Sequence, residues 1–177
     1  MLRQFRPWLR PRAQILIHFV CRNQGLFVAR GNPLNIVSLS DVVKTKARFI
    51  SRQRGSGTQI ALELMLESSE IDKKRIYGFN DEEYTHAAIA SAVASGAADV
   101  GLGIETAARK LEIGFVPLFI ENYYLLMKRE TIETRNLQDI VSVMKSKAFR
   151  KIAGKFSGYD VSQSGSILEI EDAIRSR

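Results

Sequence analysis

The 177-residue chain has one cysteine, Cys21, and two histidines, His18 and His86. A lone cysteine excludes an internal disulfide and any multi-cysteine metal site. Two histidines leave a zinc site dependent on carboxylate ligands. No apolar run approaches the roughly 18–20 residues that a membrane-spanning helix needs. The phosphate loop of ATP- and GTP-binding proteins is also missing, because Gly57-Thr58-Gln59 lacks its lysine. Gly101-Leu102-Gly103 lacks the third glycine of a dinucleotide fingerprint, and no Gly-x-Ser-x-Gly nucleophile elbow occurs. There are no internal repeats and no low-complexity tract.

What is present is ordinary globular sequence, 45% apolar and 25% charged, long enough for one well-buried domain or two small lobes. The net charge of +7 is concentrated at one end. Residues 1–30 carry Arg3, Arg6, Arg10, Arg12, Arg22 and Arg30 and no acidic side chain, leaving 20 basic against 19 acidic over residues 31–177. The body is thus close to neutral. A solvated basic terminus accounts for this, and a basic arm for nucleic acid or an anionic surface is the alternative. The same end imitates a signal peptide, but its apolar part is short, interrupted by Gln14 and His18, and lacks a small-x-small cleavage site. Ile15–Cys21 therefore reads as a strand and the protein as cytoplasmic, with a periplasmic location if an upstream signal has been lost.

Ile15–Cys21 and Leu26–Ala29 read as short strands separated by an Asn23-Gln24-Gly25 turn. Ser38 or Ser40 caps a short helix, and Arg48–Ser51 is the next strand. The following helix shows Ile60, Leu62, Leu64, Met65 and Leu66 as its apolar side, with Glu63 and Glu67 facing water. Ala87–Gly96 is rich in small residues and reads as a tightly packed helix stopped by Gly96. Ala98–Ile104 is a buried strand leading into a helix over Glu105–Leu111. Phe115–Ile120 and Tyr123–Met127 are strands separated by Glu121-Asn122. Leu137–Phe156 is helical with a break near Ser146, and a loop and a final helix follow. Strands alternating with helices from Arg48 to Ile120 predict crossover units, hence an α/β fold with a mostly parallel sheet and helices on both faces. Ligands in such folds bind beyond the carboxyl ends of the strands.

One stretch stands at such a place: Arg52-Gln53-Arg54-Gly55-Ser56-Gly57-Thr58, between a strand and a helix. Its glycines permit a tight turn with uncovered N–H groups, and the electropositive helix start makes an anion cradle. A bare capping role for Ser56 or Thr58 accounts for the same residues equally well. Glu83–His86 and Gly101–Glu105 also lead into helix starts, so three helix N-termini face one crevice, which tips the reading toward a binding site. Ser56, His86 and Asp99 supply the residue types of a catalytic triad without evidence of mutual distance, and Asp99 reads better as a carboxylate tying down a loop. Tyr123 and Tyr124 serve a ligand or sheet packing equally well, and His18 reads as a strand residue.

Ser51–Thr58, Glu83–His86 and Ala94–Ile104, together with Gln24–Pro33 and Ser157–Asp160, resemble the periplasmic-binding-protein-like ligand domain over about residues 15–165. That domain is related in fold to molybdate-binding transport proteins and to LysR-type effector domains. It occurs alone, behind helix-turn-helix domains, or fused to molybdopterin-biosynthesis proteins. The resemblance implies a type II fold of two α/β lobes joined by hinge strands. In these terms residues 1–14 are a basic segment, 15–35 the first hinge strands with a remnant of lobe one, and 36–117 lobe two. Residues 118–128 are the second hinge strands, and 129–177 are helices packing toward lobe one. Only fourteen residues precede Ile15, so the resemblance implies a first lobe largely missing, apolar surface left uncovered, and self-association.

Carried over by position, the ligand-binding set is Gln53, Ser56, Gly57, Thr58, Thr85 and His86, with Tyr123 at the hinge. Neutral donors of this kind suit an oxyanion such as molybdate or tungstate, Arg52 or Arg54 adds charge, and protonation of His86 makes binding pH-sensitive. The resemblance implies no cofactor, no metal and no membrane span. It implies a non-catalytic domain that binds a small anionic ligand, closes its cleft, and reports to a DNA-binding or biosynthetic domain. An enzyme of molybdenum-cofactor metabolism using the same cleft, and a nucleic-acid-binding protein using the arginine-rich start, are the alternatives.

Overall fold

Two runs that look interrupted in the sequence are continuous strands in the computed structural model, which describes residues 6–175. The first is β1, Gln14–Val28, and the second is β5, Gly114–Lys128. The expected turn at Asn23-Gln24-Gly25 is not one. Gln24 pairs with Ile104 and Gly25 with Gly103 across an antiparallel ladder. A Cβ on Gly25 would strike the carbonyl oxygen of Val116, so this glycine admits a close backbone approach inside the sheet rather than a chain reversal. Glu121-Asn122 is likewise no break, because both polar side chains find partners within the strand region, Arg22 for Glu121 and Cys21 for Asn122.

The chain divides into two units, with boundaries inside these two strands. Residues Asn23–Ile120 form one, and the segments up to Arg22 and from Glu121 form the other. In the first, β1 and β5 are joined by β2 (Phe49–Arg52), β3 (Glu82–Glu83) and β4 (Val100–Ile104) in the order β3-β2-β4-β1-β5. β2 runs parallel to both β3 and β4, as the crossover pattern requires, while β1 runs antiparallel to β4. The helices are α1 (Leu39–Thr45), α2 (Gly57–Ser68), α3 (His86–Ala94) and α4 (Glu105–Lys110).

Two cores cover the two faces of this sheet. Leu26 and Val28 of β1 and Val100 and Leu102 of β4 pack with Leu39 and Val42 of α1 and Leu62 and Leu66 of α2. Phe27 packs on the opposite face with Ile89, Ala90 and Val93 of α3 and with Ala107 and Ala108 of α4. The alternation along β1 sorts these residues, since successive strand side chains point to opposite faces. Phe27 and Phe49 are essentially fully buried, each contributing about 1.5–3 kcal/mol of transfer free energy. The buried side of α2 is Thr58, Gln59, Ala61, Leu62 and Leu66. Leu64, expected on that side, is exposed, because it lies two residues from both Leu62 and Leu66 and so falls on the other side of the helix.

In the second unit the amino half of β1 pairs with β6 (Tyr159–Asp160) through Cys21 and Arg22, and with β7 (Ile167–Leu168) through Leu16 and Ile17. α5 (Arg135–Lys145) buries Leu137 and Met144 against Ile15 and Ile17. Ser146 breaks the predicted long helix and caps α6 (Lys147–Ala153), accepting from the N–H of Phe149 at 3.1 Å. α7 (Ile170–Arg175) places Ile170 and Ala173 beside Leu16. Of the arginine-rich start, residues 1–5 lie outside the described residues.

Candidate ligand-binding site

The site builds from one row of the Asn23–Ile120 sheet. Arg52 and Glu83 are register partners in parallel strands, so the segments after them leave the sheet side by side. They are laced together by the Gln53 N–H donating to Glu83 O at 3.1 Å and Arg52 Nη2 donating to Tyr84 O at 3.0 Å. Gly55, at φ +84°, makes the turn that brings Ser56 to the start of α2, a backbone state in which a side chain would be strained. Ser56 Oγ accepts from the Gln59 N–H at 3.1 Å, and Thr85 Oγ1 accepts from the Ala88 N–H at 3.0 Å at the start of α3.

Both hydroxyls therefore cap helices, and in doing so each keeps its own O–H for donation. Capping and anion binding are compatible here, because a cap satisfies one of several open N–H groups in the first turn. Gly57 is exposed on α2, Ser56 half-buried, and Thr58 buried beneath the first turn. Gln53 accepts from Arg52 Nε through its Oε1 at 2.9 Å. Arg54 is exposed, while Arg52 is half-buried and held by these contacts. His86 is half-buried, with Nδ1 lying 2.9 Å from where a Gly103 Cβ would stand. Helices α2 and α3 cover opposite faces of the sheet but start from the same end of it.

The third helix start behaves differently. Glu105 opens α4 and accepts from Asn23 Nδ2 at 2.9 Å and from Arg109 Nη2 at 2.9 Å. The Asn23 amide, and after it Arg109, hold this carboxyl below the usual carboxylate range against the opposing effect of burial. The expected third anion-facing terminus thus carries its own negative charge. Gln24 was hidden by the turn reading: it is 0% exposed, and neither of its amide atoms has a hydrogen-bond partner among the described residues. Gln59 is also buried, with Oε1 unpartnered among the described residues. In the sequence Gln24 stands in the polar stretch Arg22-Asn23-Gln24-Gly25 ahead of Leu26-Phe27-Val28, and nothing local marks it as buried.

The triad is not assembled. Asp99 precedes β4, whereas Gly103 beside His86 lies near its far end, about 13 Å away at the usual strand rise. Asp99 instead accepts from Arg48 Nη2 at 2.7 Å, Nε at 3.0 Å and the backbone N–H at 2.8 Å, tying down the loop before the strand. Tyr123 belongs to the other unit, where its ring lies 4.7 Å beneath the Arg22 guanidinium. Arg22 there pairs with the buried Glu121 at 2.6 Å. Cys21 donates to Asn122 Oδ1 at 3.0 Å, with His18 Nε2 3.0 Å from the same oxygen. Burial, then the charge of Asp160, pushes the Cys21 thiol up, which keeps it protonated and poorly nucleophilic. Among the described residues no group of three or more His, Cys, Asp or Glu could hold a metal ion, and no helix is long and apolar enough to cross a membrane.

A family profile described as the PBP superfamily domain matches residues 2–145. The chain belongs to this family. A relative, the uncharacterized protein YvgK of Bacillus subtilis, is 30% identical over 153 residues, covering 86% of this chain and 49% of the relative. The chain therefore spans about half the length of that protein. Two solved structures share the PBP superfamily fold. The tungstate ABC transporter structure from Geobacter sulfurreducens has a TM-score of 0.62 at 12% identity, covering 87% of this chain and 74% of the other. PEB3 bound to L-phospholactate has a TM-score of 0.58 at 20% identity, covering 81% and 67%. PEB3 has also been solved from Campylobacter jejuni, with a TM-score of 0.56 at 19% identity.

Proposed function

We propose that this chain is a non-catalytic binding module for a small oxyanion, held at the helix starts of the Asn23–Ile120 unit. The observation that carries the reading is the pairing of two helix N-termini, each headed by a hydroxyl cap, that leave the sheet from one register row. Ser56, Gly57 and Thr58 supply donors from α2, Thr85 and His86 from α3, and Gln53 from the junction. The similar tungstate-transporter and L-phospholactate-bound structures frame two ligand classes, a tetraoxoanion such as molybdate or tungstate and a carboxylate or phosphoryl compound. In a longer protein the module reports occupancy to a DNA-binding or biosynthetic partner domain.

A thermal-shift screen with tungstate, molybdate, sulfate, phosphate and small carboxylates tests this. A ligand at 100 times its dissociation constant adds about 2.7 kcal/mol, which moves the melting temperature by roughly 5–10 °C in a chain of this size. Ser56→Ala is expected to abolish the shift. A shift that survives both Ser56→Ala and Thr85→Ala removes the site from these helix starts.

A further inference from the structure

The amide of Gln24 goes beyond what a bare tetraoxoanion requires. Gln24 is 0% exposed, and both its Nε2 and Oε1 lack partners among the described residues. Exchanging the two atoms changes nothing, because one donor and one acceptor stay orphaned either way. Burying such a group without partners is costly, and native structures rarely leave one so.

Its position says what the amide addresses. Leu26 and Val28 point into the core under α1 and α2, and the two-residue alternation of the strand puts Gln24 on that same face. Gln24 is opposite Ile104, the last residue of β4. The β2–β4 ladder runs Phe49 with Val100 and Ile50 with Gly101. Extended in register, the row of Gln24 and Ile104 meets Gln53, the residue that leads into Ser56. Gln24 therefore lies past the apolar core, at the end of the sheet where α2 starts, on the face that α2 covers. The neighbouring Glu105, whose carboxylate accepts from Asn23 Nδ2 and Arg109 Nη2, places an acceptor-only group at that end beside the amide.

We infer that Gln24 is a specificity-determining residue, and that the ligand is an oxyanion carrying its own O–H or N–H donor beside its acceptor oxygens. This rests on the anion-site reading above. Oxygens of the ligand meet the α2 and α3 donors and Gln24 Nε2, and its donor meets Gln24 Oε1. A fully deprotonated tetraoxoanion offers acceptors alone and leaves that carbonyl unmatched. Hydroxycarboxylates, amino acids and protonated phosphoryl compounds meet both requirements.

Paired probes test the inference by titration calorimetry: lactate against propionate, which share a carboxylate and differ by one hydroxyl, with tungstate as the donor-free anion. The wild-type protein is expected to prefer lactate at least tenfold, and Gln24→Met, which keeps volume and removes both polar atoms, to erase the preference. The melting temperature of ligand-free Gln24→Met is expected to stay level or rise, since an orphaned amide is replaced by an apolar group of similar shape. A lowered melting temperature together with an unchanged preference would make the amide structural and overturn the inference. Propionate or tungstate binding as tightly as lactate, weakened by Ser56→Ala and untouched by Gln24→Met, overturns it while leaving the anion site standing. Binding of none of the three probes removes both.

Discussion

The two halves of β1 live in different surroundings. From Gln24 to Val28 every residue has a register partner on β4, and the strand is covered on both faces by helices. Toward its amino end the same strand meets β5 and the two-residue strands β6 and β7. The Asn23–Ile120 unit is a layered α/β sheet with a core on each face, whereas the other unit holds smaller clusters around Leu16 and around Ile15 and Ile17. Both units expose some large apolar side chains, among them Leu126, Val143, Ile152 and Ile167 here and Val37 and Ile120 in the layered unit. One continuous strand is thus buried at both ends, by a two-faced core at one and by smaller clusters at the other. Burial depends on what the rest of the chain brings to a strand, not on how apolar the strand is.

Core truncation is the strongest way to break this comparison. Phe49→Ala, in the layered unit, is expected to cost about 3–5 kcal/mol, and Leu137→Ala, on the buried side of α5, to fall toward the lower end of the 2–5 kcal/mol range. Urea unfolding measures both, and equal costs would dissolve the contrast. Gly25→Ala comes next. Its methyl meets a backbone oxygen rather than a yielding side chain, so about 1–3 kcal/mol is expected. A turn at that position would tolerate the change.

Matched helix caps sharpen the comparison further. Ser56→Ala and Ser146→Ala remove equivalent hydroxyl caps from α2 and α6, and each is expected to lower stability by about 0.5–2 kcal/mol. Only the first is expected to affect anion binding, so thermal melts with and without ligand separate capping from recognition.

The smallest effect is a pH dependence. The hydrogen bonds from Arg48 hold the Asp99 carboxyl below its usual range. Its contribution is complete above the unfolded-state value and is lost as pH falls through the lower folded-state value. Asp99→Asn is therefore expected to lower the melting temperature slightly at neutral pH, with the difference closing in acid. A difference that grows in acid contradicts the role of the ion pair.

Much of the fold was legible in short-range pattern. Ser38 and Ser56 are caps because a small hydroxyl before a helix satisfies an open N–H. Gly96, read as a helix stop, takes positive φ, where glycine carries no steric cost. The errors came where a residue type has two meanings. Asn23-Gln24-Gly25 has turn composition, but Gly25 makes room for the backbone of β5. Glu121-Asn122 has the polarity of a break, but Arg22 and Cys21 satisfy it inside the strand. In the candidate site, Ser56, Gly57 and Thr58 could be found from the glycine junction. Glu105 as a resident carboxylate and Gln24 as a buried amide could not, because charge compensation and burial are set by residues 80 or more positions away.

The sequence by itself determined the order of strands and helices, the helix starts and the crossover logic, since these follow from side-chain periodicity and backbone preferences within a few residues. Tertiary structure alone decided that β1 and β5 run unbroken, that Asp99 stands at the end of its strand away from His86, and that Gln24 is buried with its amide unpartnered among the described residues. Each of those outcomes depends on which distant backbone lies alongside, and no local preference encodes that.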